Sequence, residues 1–364
     1  MVDWRGICSF GLLSCLYYFS MGSFAGVLFH ALGGFASGSF YLPFRRVKGW
    51  SWESAWIVGG VASWLIVPWV MGWLTVQDPY QAIISTPVSA LGWTFFFGVL
   101  WGIGGLTFGL TMRYLGISLG MAVALGYCSA FGTLIPPIWE GRGDELLYTR
   151  AGWFTLAGVA VCLMGIAVCG LAGFRKEKEL DAEQQQATVA EFDLRKGVIT
   201  ATVSGILSAC FAFGLTAGKP IALRAVSQGT DPLWQNNAIY PVLLLGGFMT
   251  NFIWCMWLNQ RNKSFSDYAN VQKPLSRNYF WAALAGTVWY FQFFFYGMGD
   301  AYLGDGFRFA GWTLHMAFII IFSTLWGLAL HEWRGASPKT YRVVYAGLGL
   351  IIFSTILIGM GSQF

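Results

Sequence analysis

Long apolar stretches separated by short polar segments form the dominant pattern of the chain. A helix needs about 20 apolar residues to cross the ~30 Å hydrocarbon core of a bilayer. Ten stretches meet this length, and they cover residues 22–44, 53–74, 89–111, 115–138, 151–173, 197–218, 234–258, 279–300, 311–331 and 343–361. The pattern therefore predicts an all-α integral membrane protein with ten transmembrane helices.

The polar segments between these stretches alternate in basic content. Most of the Lys and Arg residues follow the odd-numbered stretches, as Arg45, Arg46 and Lys48 follow the first. Basic loops remain on the cytoplasmic side of a membrane. Both termini are therefore predicted to lie outside.

The longest polar segment divides the chain into two halves of five predicted helices each. Residues 174–196 are predicted to be a cytoplasmic linker between a first repeat at 22–173 and a second at 197–364. An odd number of spans per half inverts the second repeat relative to the first. Inverted repeats are an architecture of secondary transporters, which bind substrate near the midplane between the repeats.

The first 21 residues are predicted to be an N-terminal extension. Their apolar run, residues 7–20, is too short to span a bilayer. A signal-like segment, an eleventh element and a misassigned start before Met21 are all open, and the last is favoured.

The composition agrees with a membrane protein and excludes most soluble classes. The chain is 56% hydrophobic and 11% charged, with a mean hydropathy of +0.57 and a net charge of +5. Soluble domains carry roughly 25% charged residues. The basic excess is attributed to loops at an anionic lipid leaflet, and no nucleic-acid-binding motif is present. The seven cysteines lie in or beside apolar runs without metal-ligand spacing, which predicts packing roles and no metal site.

A glutamine stands among aromatic residues in "TVWYFQFFFYGMGD", residues 287–300. Helical spacing places Trp289, Gln292, Tyr296 and Gly299 on one face. An amide between an indole and a phenol suits a sugar, because the C–H face of a pyranose stacks on the rings while hydroxyls bond the amide. The alternative is an interhelical hydrogen bond worth about 1 kcal/mol.

Two histidines lie within predicted spans, where polar residues are costly and often functional. His30 shares a stripe with Gly26, Gly34, Ser37 and Tyr41, which is predicted to face protein. His315 lies near the start of the ninth span. Each is a candidate sugar ligand and proton carrier, since histidine titrates near neutral pH. His30 could instead be a structural histidine that is hydrogen-bonded to a neighbouring helix, and His315 could instead be an interfacial residue.

Further polar candidates lie in the sixth and seventh spans. Asn237, Tyr240 and Asn251 form a predicted polar stripe, although Asn237 could instead cap its helix after Asp231 and Pro232. Lys219 closes the sixth span, where the helix dipole alone favours a cation. All four residues are candidate sugar contacts.

Several classes of function lack their motifs. No phosphate-binding loop, zinc-protease motif or nucleophile elbow appears. Asp and Glu residues are predicted at span ends, so paired carboxylates for acid–base catalysis are missing. The sequence thus predicts no cofactor, no ATP-driven pump and no intramembrane enzyme, and it carries no indication of the oligomeric state.

Several long segments, in the same order, resemble the L-rhamnose–proton symporters of the drug/metabolite transporter superfamily. They are "YLPFRRVKGWSWE" (41–53), "LWGIGGLTFGLTMRYLGISLGM" (100–121), "GTLIPP" (132–137), "AGKP" (217–220), "DPL" (231–233), "WYFQFFFYGMG" (289–299) and "WTLHM" (312–316). The resemblance implies a bacterial inner-membrane protein that takes up L-rhamnose, or a similar monosaccharide, together with a proton. It carries over these residues: His30, Arg113, Tyr114, Lys219, Asn251, Gln292 and His315.

Two segments depart from the better-known members of that family, "LWQNNAIYP" (233–241) and "GDAYLGDGFRF" (299–309). The identity of the sugar and of the coupling ion therefore stays open at this point. The expected mechanism is alternating access, with Trp289 and Tyr296 stacking the sugar, Gln292 reading its hydroxyls and His30 or His315 carrying the proton. Sodium coupling is one alternative, and an enzyme acting on a lipid-linked sugar is another.

Overall fold

The computed structural model describes residues 24–115, 117–139, 141–179, 193–303, 308–331 and 333–361, which fold into helices joined by short loops. The long helices are α1 Phe24–Phe44, α2 Trp52–Thr75, α3 Val88–Leu115, α4 Ile117–Trp139, α5 Arg150–Glu179, α6 Leu194–Ala217, α7 Tyr240–Asn262, α8 Leu275–Leu303, α9 Arg308–Ala329 and α10 Pro338–Gly361. Shorter α-helices span Pro79–Ile84, Gly143–Tyr148 and Lys219–Ser227, and a 3₁₀ helix spans Pro232–Ala238.

Within the described residues, eight helices are long and apolar enough to cross a membrane. The chain is therefore a multi-pass membrane protein, as predicted. Two long helices, α4 and α8, lie outside this set. The apolar part of α4 that qualifies is the shorter Val123–Trp139, whereas α8 has 29 residues but carries Trp, Tyr and Gln side chains that lower its hydropathy. The count of ten spans stays a prediction.

Glycines allow close contact between helix backbones. A Cβ added at Gly98 or Gly102 of α3 would collide with α7, and one at Gly286 of α8 would collide with the carbonyl oxygen of Gly59 on α2. Small residues let membrane helices approach in this way. Gly105 of the same helix, by contrast, faces open space.

Regular α-helix is interrupted at two places where the sequence contains proline or glycine, one within α2 and one at the end of α6. In α2, the segment Val61–Ile66 is π-helical and is followed by Pro68. After α6 the chain is capped at Gly218, and Lys219 begins the next helix. Lys219 thus lies beyond the last turn of α6, so the helix-terminus role predicted for it is wrong in detail.

One end of the bundle is closed by hydrogen bonds between the α1–α2 loop and the α7–α8 loop. The backbone N–H of Ser51 donates to Asp267 Oδ2 over 2.7 Å. Glu53 Oε1 accepts from Ser264 Oγ over 2.7 Å and from Asn262 Nδ2 over 3.0 Å. Glu53, at the start of α2, therefore accepts from the end of α7 and the loop after it, and Asp267 accepts from the α1–α2 loop as well as from Lys273 of its own loop.

The predicted linker is partly helical. Helix α5 continues to Glu179, whose carboxylate accepts from Ser337 and Thr340 at the start of α10. At the other end, Asp193 caps α6 by accepting from the backbone of Lys196 over 3.0 Å. Residues 180–192 and the predicted N-terminal extension lie outside the described residues, so the domain boundaries stay predictions.

Candidate functional site

His30 of α1 and His315 of α9 lie next to each other inside the bundle. Their ring centroids are 5.9 Å apart, and the two side chains are 0% and 2% exposed. The sequence separates them by most of the chain, but the packing of α1 against α9 brings them together. The two histidines, which the sequence predicts as separate candidates in different spans, thus form one cluster.

Glycines make room for these rings. A Cβ at Gly33 would lie 2.8 Å from His315 Cε1, and one at Gly299 would lie 2.8 Å from His30 Cδ2. A Cβ at Gly311 would lie 3.0 Å from His30 Nε2. The stripe predicted to face protein is correct for Gly26, Gly34 and Ser37 but wrong for Tyr41, which is 52% exposed after the turn at Phe40.

Tyr296 of α8 lies edge-on to both histidines. Its ring centroid is 5.1 Å from His30 and 5.2 Å from His315. Trp312 adjoins Tyr296 at 5.8 Å, and its indole N–H donates to the carbonyl oxygen of Cys128 on α4 over 3.0 Å. The cluster is therefore built from α1, α8 and α9, with α4 supporting Trp312.

Several polar atoms in this region are buried without a hydrogen-bond partner among the described residues. They are both ring nitrogens of His30, Nδ1 of His315, Nε2 of Gln292 and Nε1 of Trp289. A buried polar group that lacks a partner costs free energy, because it has given up its bonds to water. Such groups are suited to a ligand that supplies the missing partners.

Gln292 and Tyr296 are buried on the same side of α8, as the helical spacing predicts, and Trp289 is half-buried. The opposite side of α8 packs against protein, since Phe294 is stacked on Trp234 at 5.4 Å. Trp289 contacts Phe40 of α1 at 4.2 Å. The predicted face of α8 thus points into the bundle.

The polar candidates of the predicted seventh span, which lie in the 3₁₀ helix and in α7, are bonded within the protein. Asn237 donates to Thr75 Oγ1 over 2.8 Å, and Tyr240 donates to the carbonyl oxygen of Phe293 over 2.6 Å. Asn251 accepts from Trp56 Nε1 over 3.0 Å. These bonds join different helices, and the helix cap alternatively predicted for Asn237 is instead supplied by Asp231, which accepts from the Leu233 N–H. Lys219 is half-buried at the start of the following helix. Sugar contact by these four residues stays a prediction.

Asp300 was interpreted from the sequence only as a residue at the end of a span. In the structure it is 2% exposed, and its Oδ2 accepts from Asn236 Nδ2 over 3.1 Å. Helical spacing could have placed it in the site, because it lies one turn after Tyr296 on α8. Asn236 belongs to the divergent segment 233–241, which therefore borders the site.

The described residues contain no group of three or more metal-ligating side chains.

The comparison with known proteins decides the family. Residues 20–363 match the family model for the L-rhamnose-proton symport protein (RhaT). The chain belongs to this family.

Curated relatives carry the same description. The L-rhamnose-proton symporters of Yersinia pestis (strain Pestoides F) and Citrobacter koseri are each 38% identical over 339 residues, which are 92% of this chain and 97% of each relative. The L-rhamnose-proton symport family is a family of transporters, so the prediction of transport rather than catalysis is confirmed. The matched range, residues 20–363, covers the positions of His30, Gln292, Tyr296 and His315.

Proposed function

We propose that this protein takes up L-rhamnose together with a proton across the bacterial inner membrane. The observation that carries the proposal is the cluster of His30, His315, Tyr296 and Gln292 in a chain of the L-rhamnose-proton symport family. The names of the family and of its members specify a proton, so the sodium alternative is not favoured.

In this proposal the sugar binds beside the inner face of α8. Trp289 and Tyr296 offer aromatic faces to the C–H side of the pyranose. The Nε2 atom of Gln292 donates to a hydroxyl, because it has no partner among the described residues. Asn237, Tyr240, Asn251 and Lys219 are proposed as outer contacts that become available when their helices move.

The proton is carried by the His30–His315 pair. Two imidazoles 5.9 Å apart repel each other when both are charged, so the pair accepts one proton more readily than two. A sugar hydroxyl accepting from a protonated ring nitrogen stabilises the charged form. Linkage then requires the bound proton to raise sugar affinity by the same factor.

The helices form two inverted repeats of five. If each helix is exchanged with the one five positions away in chain order, the same pairs of helices remain in contact. The contacts α1–α8 and α3–α6 correspond, as do α2–α8 and α3–α7, while α5–α10 and α4–α9 map onto themselves. This correspondence supports a pseudo-twofold arrangement, with the site at the interface of the repeats.

Both termini face outwards, and the site alternates between the two sides. With this topology the bonded loops at Ser51, Glu53 and Asp267 lie on the cytoplasmic side. Their closure separates the histidine pair from the cytoplasm. Opening this end while closing the other delivers the sugar inwards.

The test is uptake of radiolabelled L-rhamnose into proteoliposomes with an imposed inward proton gradient. We expect accumulation that a protonophore abolishes and that persists when choline replaces sodium. Uptake that ignores the gradient but requires sodium would overturn proton coupling. A protein that neither binds nor exchanges L-rhamnose would overturn the substrate.

A further inference from the structure

Six aromatic side chains form a closed cycle of neighbouring rings beside the proposed site. They belong to α1, α2, α3 and α8 and follow the order Phe40, Trp56, Trp64, Trp101, Phe293 and Trp289. Each ring lies next to the following one, and the last returns to the first, with centroids 6.4, 6.1, 6.2, 5.6, 6.3 and 4.2 Å apart. We call these six residues the aromatic box.

Part of the box is held firmly by the protein. The indole N–H of Trp56 donates to Asn251 Oδ1, and the amide of Asn251 in turn donates to the backbone of Gly247. Trp101 packs directly over Gly247, where a Cβ would lie 2.5 Å from its Cζ3 atom. Trp56 and Trp101 of the box are therefore held in place by contacts with α7.

Other members of the box have unmet hydrogen-bonding capacity. The indole nitrogens of Trp64 and Trp289 are buried and have no partner among the described residues. Trp64 itself is 4% exposed. By contrast, the buried N–H groups of Trp56 and Trp312 are bonded to protein. Unsatisfied indole donors beside apolar rings match a ligand that has both C–H faces and hydroxyl groups.

Trp64 comes from the irregular part of α2. It lies within the π-helical segment Val61–Ile66, next to Ser63. The Ser63 hydroxyl is also buried without a partner in the described part of the chain. π-Helical turns frequently occur at functional sites. The irregular turn thus carries two unsatisfied polar groups at successive positions, and one of them, the Trp64 indole, belongs to the box.

The box is continuous with the histidine cluster. Phe293 belongs to the box and stacks on Phe211 at 4.8 Å, and Phe211 in turn lies 6.5 Å from Tyr296. Trp289 of the box is one turn from Gln292 on α8. The box and the histidine cluster are therefore close enough for one sugar ring and its substituents to contact both.

We propose that the aromatic box is the part of the sugar site that selects a 6-deoxyhexose, with Trp64 and Ser63 as specificity-determining residues. The apolar face and the C6 methyl group of the sugar pack against the rings, and the Trp64 indole and the Ser63 hydroxyl bond its ring hydroxyls. This assignment rests on the proposed function. A hexose with a C6 hydroxyl has to bury that group against aromatic carbon, so it binds more weakly.

The experiment measures the Kd of L-rhamnose and of L-mannose, which differs by the C6 hydroxyl, by titration calorimetry on purified protein. Trp64→Phe keeps the apolar ring and removes the N–H, and Ser63→Ala removes one oxygen atom. We expect each to raise the Kd for L-rhamnose roughly three- to tenfold, as the loss of one hydrogen bond does. Trp64→Leu should also reduce the preference for L-rhamnose over L-mannose.

Trp93→Phe is the matched control, because Trp93 is 57% exposed on the outer surface of α3. It should leave both Kd values unchanged. If Trp64→Phe does not fold, Ser63→Ala decides the outcome. If the folded variants bind L-rhamnose with the same Kd as the wild type, the proposed subsite is wrong and the proposed function is unaffected. Wild-type protein that binds no deoxyhexose would overturn both.

Discussion

Asn278 exchanges two hydrogen bonds with the backbone of Lys48, across 230 positions of the chain. Its Oδ1 accepts from the Lys48 N–H over 3.0 Å, and its Nδ2 donates to the Lys48 carbonyl oxygen over 2.8 Å. The side-chain amide thus bonds both backbone polar groups of Lys48 and joins the start of α8 to the loop after α1. Asn278 is 0% exposed.

Asn278→Ala should therefore destabilise the closed end of the bundle. Loss of two hydrogen bonds costs about 1–2 kcal/mol, which should lower the Tm of the detergent-solubilised protein. Gln272→Ala, in the loop before α8, is the control, because Gln272 is exposed. An equal Tm for both variants would show that the Asn278 bonds add nothing to stability.

His30→Gln and His315→Gln should uncouple sugar movement from the proton. The amide keeps hydrogen-bonding capacity but cannot carry a proton near neutral pH. Gradient-driven accumulation should fall about tenfold, within the range of typical coupling free energies, while sugar exchange at equal pH on both sides continues.

The third histidine provides the control for this test. His331 is exposed after α9, and His331→Gln should retain full accumulation. Gradient-driven accumulation that survives in both His30→Gln and His315→Gln would exclude this pair as the proton carrier.

Gln292→Ala should weaken sugar binding without preventing assembly. Removal of a donor to one hydroxyl should raise the Kd for L-rhamnose about three- to tenfold, as measured by calorimetry. Gln260→Ala, at an exposed position of α7, should bind normally. If Gln292→Ala fails to insert or unfolds while Gln260→Ala is stable, the amide serves as an interhelical bond.

Gly286→Ala should destabilise the contact between α8 and α2. The added methyl group would collide with the carbonyl oxygen of Gly59, and overpacking of this kind costs about 1–3 kcal/mol. Gly105→Ala is the matched control, since nothing lies within 4 Å of its position. Thermal unfolding should separate the two variants, and a normal Tm for Gly286→Ala would contradict the close packing.

Asp267 should make stability depend on pH in the acidic range. Burial raises the pKa of this loop carboxyl, but the Lys273 ammonium and the Ser51 and Ser54 donors outweigh burial and hold its pKa below the ordinary value. Its contribution is therefore complete at neutral pH and is lost as the pH falls through the lowered pKa.

Asp267→Asn tests this dependence. The Tm difference between the variant and the wild type should be largest near neutral pH and should shrink below about pH 4, where the unfolded carboxyl is protonated. The exposed Asp144 supplies the control, and Asp144→Asn should track the wild type throughout. A difference for Asp267→Asn that stays constant with pH would contradict the ionised carboxylate.

The inner face of α8 shows what local spacing can predict. Trp289, Gln292 and Tyr296 follow helical periodicity, and burial in a helix obeys that period whatever the partners are. The same spacing extends to Asp300, which sequence reasoning assigned to a span end. Spacing alone places Asp300 on this face, but its hydrogen bond with Asn236, a residue 64 positions away, could not be derived from local pattern.

The sequence by itself determined that the chain is a helical membrane protein with polar residues at membrane depth. Hydropathy and the helical period are local properties, so they can be deduced without the fold. Only the tertiary structure decided that His30 meets His315 and Tyr296, that the amides of α7 bond within the protein, and that six aromatic rings close into a box. These relationships join helices that are remote in sequence, and the packing of backbones at Gly33, Gly59 and Gly286 sets their geometry.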